Sequence, residues 1–220
     1  MPGNTRAYLL GSNSSGIALY RVTHTMRSVL KRIGNAVFLM LLCPAGVLAH
    51  FGRAVLGSEE VFLLHAHLFA IVPGQLGVFT RRAYYWWTLK ACGNDLVVGF
   101  GSFFTGSQVI LGDSVWIGQY SVLGNVVIGS RVLISDHVSV LTGRYQHVRD
   151  RAGMLIVAHD RLIRVTIGRD TWIGAGAIIM ADVGEQCIVG AGAVVIEPVP
   201  ARSTAVGVPA RSTGESRRPE

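Results

Sequence analysis

A five-residue unit recurs nine times between residues 98 and 193. It consists of an aliphatic residue, a small residue that is usually Gly, two variable positions, and a small or branched residue. The copies are VGFGS from Val98, LGDSV from Leu111, IGQYS from Ile117, LGNVV from Leu123, IGSRV from Ile128 and ISDHV from Ile134. After a gap come IGRDT from Ile167, IGAGA from Ile173 and VGAGA from Val189. The starts at 111, 117 and 123 are six apart, the next step is five, and the pairs 128/134 and 167/173 return to six. One such pentapeptide carries no weight. Nine in about one hundred residues specify a parallel β-helix. In such a solenoid the aliphatic residue points inward onto its equivalent in the next coil. The Gly or Ser after it permits a tight corner where a bulky side chain would clash. The residue four places on is small because it points inward beside that corner. No coil buries its own face, so the core exists only through stacking.

Composition adds limits. Half of the 220 residues are apolar and 15% are charged, against the roughly 25% that is usual. Such a chain buries a core and also hides apolar surface in a membrane or between subunits. The net charge of +7 suits phosphate-bearing cofactors or anionic lipid. Neither zinc-finger spacing nor an RNA-binding aromatic signature accompanies it, so no nucleic-acid partner is expected. Cys43, Cys92 and Cys187 are odd in number and far apart. They form no disulfide framework and fit a reducing compartment.

The organisation expected is a flexible N-terminus over 1–26, an apolar helical segment over 27–91, the β-helix over 92–211 with a loop at 142–164, and a disordered tail over 212–220. Residues 33–51 and 61–80 contain no Lys, Arg, Asp or Glu. Pro44 and Gly46 interrupt the first stretch; His65, His67, Pro73 and Gly74 interrupt the second. Each approaches the ~20 residues of a membrane span. Arg27, Lys31 and Arg32 precede the first, and Arg81 and Arg82 follow the second, which would keep both outer ends cytoplasmic. Two spans, an interfacial hairpin and a pair of buried helices all remain open. Residues 80–91 (TRRAYYWWTLKA) read as an amphipathic helix. It serves either as an interfacial aromatic anchor or as a packing helix.

The repeats resemble the left-handed β-helix acyltransferases of the hexapeptide-repeat superfamily over roughly residues 70–211. The lead-in VPGQLGVFTRRAYYWWTLKACG resembles a polysaccharide-pathway subgroup related to colanic acid acetyltransferase. The fold class implied is mainly β, a left-handed parallel β-helix behind an apolar helical segment. The resemblance supplies the hand, against the usual right-handed crossover. It also implies a homotrimer with sites between subunits, acetyl-CoA as acyl donor, and a hydroxyl on a sugar, polysaccharide or glycolipid precursor as acceptor. The location expected is cytoplasmic, at the inner face of the membrane. The segment from Thr171 to Arg211 resembles the coenzyme A-binding end. There Gly174, Ala175, Gly190 and Ala191 let the pantetheine arm lie against backbone, Trp172 flanks it, and Arg211, in GVPAR, meets phosphate, with Arg202 a further candidate.

Acyl transfer to a hydroxyl needs a base and a donor to the developing oxyanion. The family carries its catalytic His on a loop thrown out at 142–164, often in the order Thr-Gly-x-His. Here Tyr145 holds that position and His147 follows two residues later, so His147 is the candidate base. His137, at a variable corner position, is either a plain polar residue or part of a neighbouring subunit's site. His159, in VAHD, resembles another acyltransferase segment but lies outside any repeat. Asp136, Asp150 and Asp160 are candidates to orient an imidazole. No metal ligand set is recognisable. Acetylation of a small metabolite or antibiotic, and a β-helix scaffold without catalysis, are the competing functions.

Overall fold

The computed structural model describes residues 14–142, 147–149, 151–157 and 164–215, with side chains placed for all of these except 14–31, 147–149, 156–157 and 215. Residues 38–220 pack as one unit and residues 1–37 as another.

The repeats wind into a three-faced parallel β-helix. Its first coil is β1 (Ala91–Cys92), β2 (Val97–Val98) and β3 (Phe103–Phe104). The second is β4 (Ile110–Leu111), β5 (Trp116–Ile117) and β6 (Val122–Leu123). The third is β7 (Val126–Ile128), β8 (Leu133–Ile134) and β9 (Ser139–Val140). The inserted segment then forms an antiparallel hairpin of β10 (His147–Arg149) and β11 (Leu155–Val157), with His147 opposite Val157. The fourth coil is β12 (Val165–Ile167), β13 (Trp172–Ile173) and β14 (Ile178–Ile179). The fifth uses Val183 as a bridge on the first face, then β15 (Ile188–Val189) and β16 (Val194–Val195). Val199 bridges back to Val183, and the chain runs on into β17 (Ser203–Val206), which ends the stack by pairing antiparallel with β18 (Arg211–Glu215). Residues 212–215 are thus part of a strand where a disordered tail was expected, because β18 satisfies the open edge of β17.

The aliphatic positions form three inward columns. On the second face Val98, Ile117, Ile134, Ile173, Val189 and Ala205 stack in register and are all buried. Each buried Val or Ile contributes about 1.5–3 kcal/mol, and neighbouring coils share that contribution. The residue four places on does point inward. Ser102, Ser121, Thr171 and Ala177 are buried there. The hydroxyls among them find backbone partners in the next coil, as Ser102 Oγ does on Gly118 O at 2.6 Å and Thr171 Oγ1 on Gly184 O at 2.8 Å.

The small residue after each aliphatic position works differently from the expectation. It does not make the turn. The turn is made two residues later, by a left-handed residue such as Ser114 (φ 57°) or Asp170 (φ 57°). The glycine is required because the next coil lies against its α-carbon. A Cβ on Gly118 would come 2.6 Å from Asp136 N, and one on Gly168 would come 2.3 Å from Glu185 N.

Three helices precede the solenoid: α1 (Ser14–Leu56), α2 (Glu60–Ala70) and α3 (Gly74–Thr88). Helix α1 begins within the stretch expected to be flexible, and residues 1–13 lie outside the described residues. It also runs through Pro44 and Gly46. Gly46 is where α1 meets Trp87, whose Cβ would be 2.7 Å from an added methyl. Pro44 sits on the exposed side. The single helix expected over 80–91 starts earlier, at Gly74, and stops at Thr88, since Ala91 already pairs with Ile110 in the first coil. Of its aromatic cluster, Tyr84 and Tyr85 are buried and only Trp86 is exposed, so packing rather than interfacial anchoring explains the two tyrosines. Tyr84 donates to Phe62 O at 2.8 Å, and Tyr85 meets Phe104 edge-on at 4.8 Å.

Arg81 joins the helices to the solenoid. Its buried guanidinium donates to Phe69 O, Ala70 O and Val72 O at the end of α2 and to Val98 O of β2, at 2.8–3.2 Å. A cation at a helix C-terminus also meets the negative end of its dipole. Arg81→Met leaves these carbonyls unpaired and lowers stability by about 3 kcal/mol, read as a shift in urea midpoint. Gly168→Ala costs about 2 kcal/mol by overpacking. Gly106→Ala, where nothing lies within 4 Å, is the control and leaves the midpoint near that of the parent.

Candidate functional site

Two of the three corners carry a ladder of left-handed residues. Between the first and second faces the ladder is Asp95, Ser114, Arg131, Asp170, Gln186 and Arg202, with φ from 56° to 59°. Its rungs are linked by charge. Arg131 grips Asp170 with two bonds of 2.6 and 2.7 Å, and Arg169 donates to Glu185 at 2.8 Å. The Arg169 guanidinium holds the Glu185 carboxyl below its ordinary value. These groups are exposed, and the pairs fix the corner more than they stabilise the chain.

The corner between the second and third faces differs. Its left-handed residues are Gly101, Tyr120, His137, Gly176 and Gly192. Tyr120 and His137 stack, with ring centroids 5.3 Å apart and planes 11° from parallel. One rung further, where Gly176 N–H donates to Asp136 O at 2.9 Å, side chains stop. Ala175, Gly176, Ala191 and Gly192 are all exposed, and nothing lies within 4 Å of a Cβ added at Gly192. The result is a bare backbone strip along the last two coils. Trp172 stands beside it on the second face, 51% exposed, with Nε1 donating to Ser135 Oγ at 3.1 Å.

The expected cofactor residues therefore separate. Trp172, Ala175 and Ala191 come together at this strip. Gly174 and Gly190 lie between coils: an added Cβ at Gly174 would be 2.5 Å from Ala191 N, and one at Gly190 2.8 Å from Val206 Cγ1. Coil packing alone accounts for those two glycines. Arg211 is exposed at the start of β18, opposite Val206. Arg202 belongs to the charged corner instead.

Among the histidines, His147 begins β10, seven residues beyond the end of the third coil; its side chain lies outside the described residues, as does all of His159. His137 is exposed at the aromatic–glycine corner. His65 packs among Phe69 and Tyr84 with Nδ1 on Val61 O at 2.8 Å, and His67 meets Phe103 edge-on at 4.5 Å. Asp136 Oδ1 accepts the N–H of Gln119 at 2.6 Å, which makes it a backbone brace between coils. Asp150 and Asp160 lie outside the described residues. The Tyr120–His137 pair was not singled out as a unit from sequence. Aligning each repeat on its third residue after the aliphatic position reveals it.

Neither thiol of the solenoid is poised as a nucleophile. Burial pushes the Cys92 thiol up to about 11, and Cys187 is buried with Sγ on Pro200 O at 3.0 Å. Near pH 8 Cys92 holds about one part in a thousand of thiolate. Its alkylation by iodoacetamide, followed by mass spectrometry, is expected to run at least about tenfold slower in the folded chain than in urea.

A family model described as bacterial transferase hexapeptide (six repeats) fits residues 164–197. Serine acetyltransferase of Salmonella typhimurium is 40% identical over 101 residues, covering 41% of this chain and 31% of that enzyme. Its Escherichia coli K12 counterpart is 37% identical over the same length and shares. The chain thus spans about a third of these relatives. Among solved structures, a maltose O-acetyltransferase from Clostridium difficile superposes with a TM-score of 0.61 at 19% identity, over 76% of this chain and 90% of that one. A galactoside acetyltransferase in complex with coenzyme A gives 0.59 at 22% identity, over 70% and 80%. These two superpositions establish a shared fold. Within that fold, residues 164–197 carry the sequence pattern of the bacterial transferase hexapeptide model.

Proposed function

We propose that the chain is an acyl-CoA-dependent O-acyltransferase, moving an acetyl or similar group to a hydroxyl of a sugar, polysaccharide or glycolipid precursor. The observation that carries this reading is the bare strip of Ala175, Gly176, Ala191 and Gly192 beside exposed Trp172, within the coils that match the family. An extended pantetheine arm needs backbone it can approach and hydrogen-bond, and side chains larger than methyl would bar it. Arg211, exposed on the terminal β18, is a partner for phosphate oxygen. The serine acetyltransferase relatives and the galactoside acetyltransferase complex with coenzyme A support the same donor.

His147 is the proposed base. Its imidazole takes the proton from the acceptor hydroxyl as that oxygen attacks the thioester carbonyl. The tetrahedral adduct collapses, the carbon–sulfur bond breaks, and the imidazolium returns the proton to the departing thiolate. The acyl group moves in one displacement, with no acyl-enzyme. The proposed assembly is a homotrimer with sites at its seams. In its support, the outward column on the second face holds Trp116, Leu133 and Trp172 in register, all exposed and apolar. The cytoplasmic face of a membrane is the proposed location.

Two substitutions separate binding from chemistry. His147→Asn is expected to lower kcat by at least about a hundredfold while coenzyme A affinity, by calorimetry, stays within about twofold. Ala191→Leu is expected to weaken coenzyme A binding by about tenfold or more in a chain of unchanged melting temperature. Full turnover in the His147 variant sinks the base assignment. Tight coenzyme A binding without transfer to any hydroxyl acceptor favours the scaffold reading.

A further inference from the structure

One large surface has no part in acyl transfer. Met40, Pro44, Val47, Leu48, Phe51 and Val55 follow one another at helical spacing along a single face of α1, and all are exposed. Met40 is 76% exposed and Phe51 63%. No charged residue interrupts that face. On α2, Leu64 and Leu68 are exposed one turn apart. Apolar surface on this scale marks an interaction site.

The opposite face of α1 is built for tight packing. It carries Ala45, Gly46, Ala49 and Gly52. Gly46 lies on Trp87, and an added Cβ at Gly52 would come 2.5 Å from Val61 Cγ2. Phe38 stacks on Phe79 with centroids 5.6 Å apart, Trp87 Nε1 donates to Leu39 O at 2.9 Å, and His50 Nε2 meets Trp87 O at 2.8 Å. At its end, Arg53 donates to Ser107 Oγ in the solenoid, and that hydroxyl donates to Glu59 at 2.7 Å. From residue 38 to 53 the helix has one side on protein and the other bare.

We propose that this bare face seats the enzyme on an anionic phospholipid leaflet, with α1 lying in the plane of the membrane and not crossing it. Helix α1 does contain a stretch long and apolar enough to span, Arg32–Leu56. A span, however, would carry α3, which packs along α1 from Phe79 on Phe38 to Trp87 on Gly46, to bilayer depth together with its buried Arg81, where such a group is costly. A half-embedded helix keeps α3 above the hydrocarbon and buries only the apolar side of α1. Charge selects the lipid: residues 1–52, which lead into and include most of this face, hold five basic side chains and no acidic one, which favours an anionic surface. The proposal rests on the membrane location given above and not on the acyl chemistry.

The test uses the full chain and vesicles of phosphatidylcholine with or without phosphatidylglycerol. Sedimentation with the anionic vesicles is expected, and Leu48→Glu with Phe51→Glu is expected to lower partitioning by at least about tenfold. Both sites are exposed, so transfer to a soluble acceptor should be unchanged in the double variant. Single nitroxide labels at Met40→Cys and at Val55→Cys, in a Cys43→Ala background, report depth. These positions are about 22 Å apart along the helix. Equal depths fit the in-plane seat. Unequal depths overturn it while leaving membrane association intact. Absence of vesicle binding, or self-association through this face that the double variant abolishes, overturns both.

Discussion

The distance between coils governs this molecule. Parallel strands stack about 4.8 Å apart, and the chain must repeat that approach at every corner. At Gly93, Gly112, Gly129, Gly168 and Gly184, one per coil on one corner, an added methyl would meet backbone of the next coil at 2.3–2.6 Å. Side chains there would push the coils apart and open every inward column together. Within the coils most of the described glycines thus serve stacking and not turning.

Close stacking also decides what a corner can display. The left-handed residue of each turn points away from the core, so its side chain is unconstrained by packing. On one corner these positions are polar or charged and tie successive coils together through Arg131–Asp170. On the other, two rings give way to glycines along the last coils. A backbone ladder that is structurally uniform therefore presents a sealed edge on one side and an accessible strip on the other. The accessible one lies beside Trp172 and within the coils that match the transferase family.

The solenoid was legible in the sequence because its period is enforced by inward packing, which sets inward residues six apart across two of the three corners. The site was less so. Gly174 and Ala175 are adjacent and both small, yet one is buried between coils and the other is exposed. Residue size alone does not distinguish packing from access; position relative to the turn does. The helical section was the least legible. Its tyrosines and Arg81 are buried by contacts with α2 and the first coil, and those contacts join residues far apart in sequence. An apolar run shows that surface will be covered, not by what.

The single slip from six to five in the repeat has the same origin as the long insertion. Between the first and second faces the inward residues advance by six in every coil, as from Leu111 to Ile117 and from Ile167 to Ile173; so do those between the second and third, as from Ile117 to Leu123. Both corners use the left-handed residue, which fixes the geometry and hence the count. The third corner has none among its described residues. There the step from Phe104 to Leu111 is seven, that from Leu123 to Ile128 is five, and that from Ile179 to Val183 is four. A corner without a fixed turn accepts different lengths at little cost, since lengthening a loop costs only slowly increasing closure entropy. The hairpin bearing His147 leaves the solenoid at this corner, between Val140 and Val165, and the coils resume in register with Val165 opposite Val126. Arg164 Nε anchors the return on Asn125 Oδ1 at 3.0 Å. The fold can therefore vary the length of chain inserted at this corner without disturbing the strip along the corner between the second and third faces.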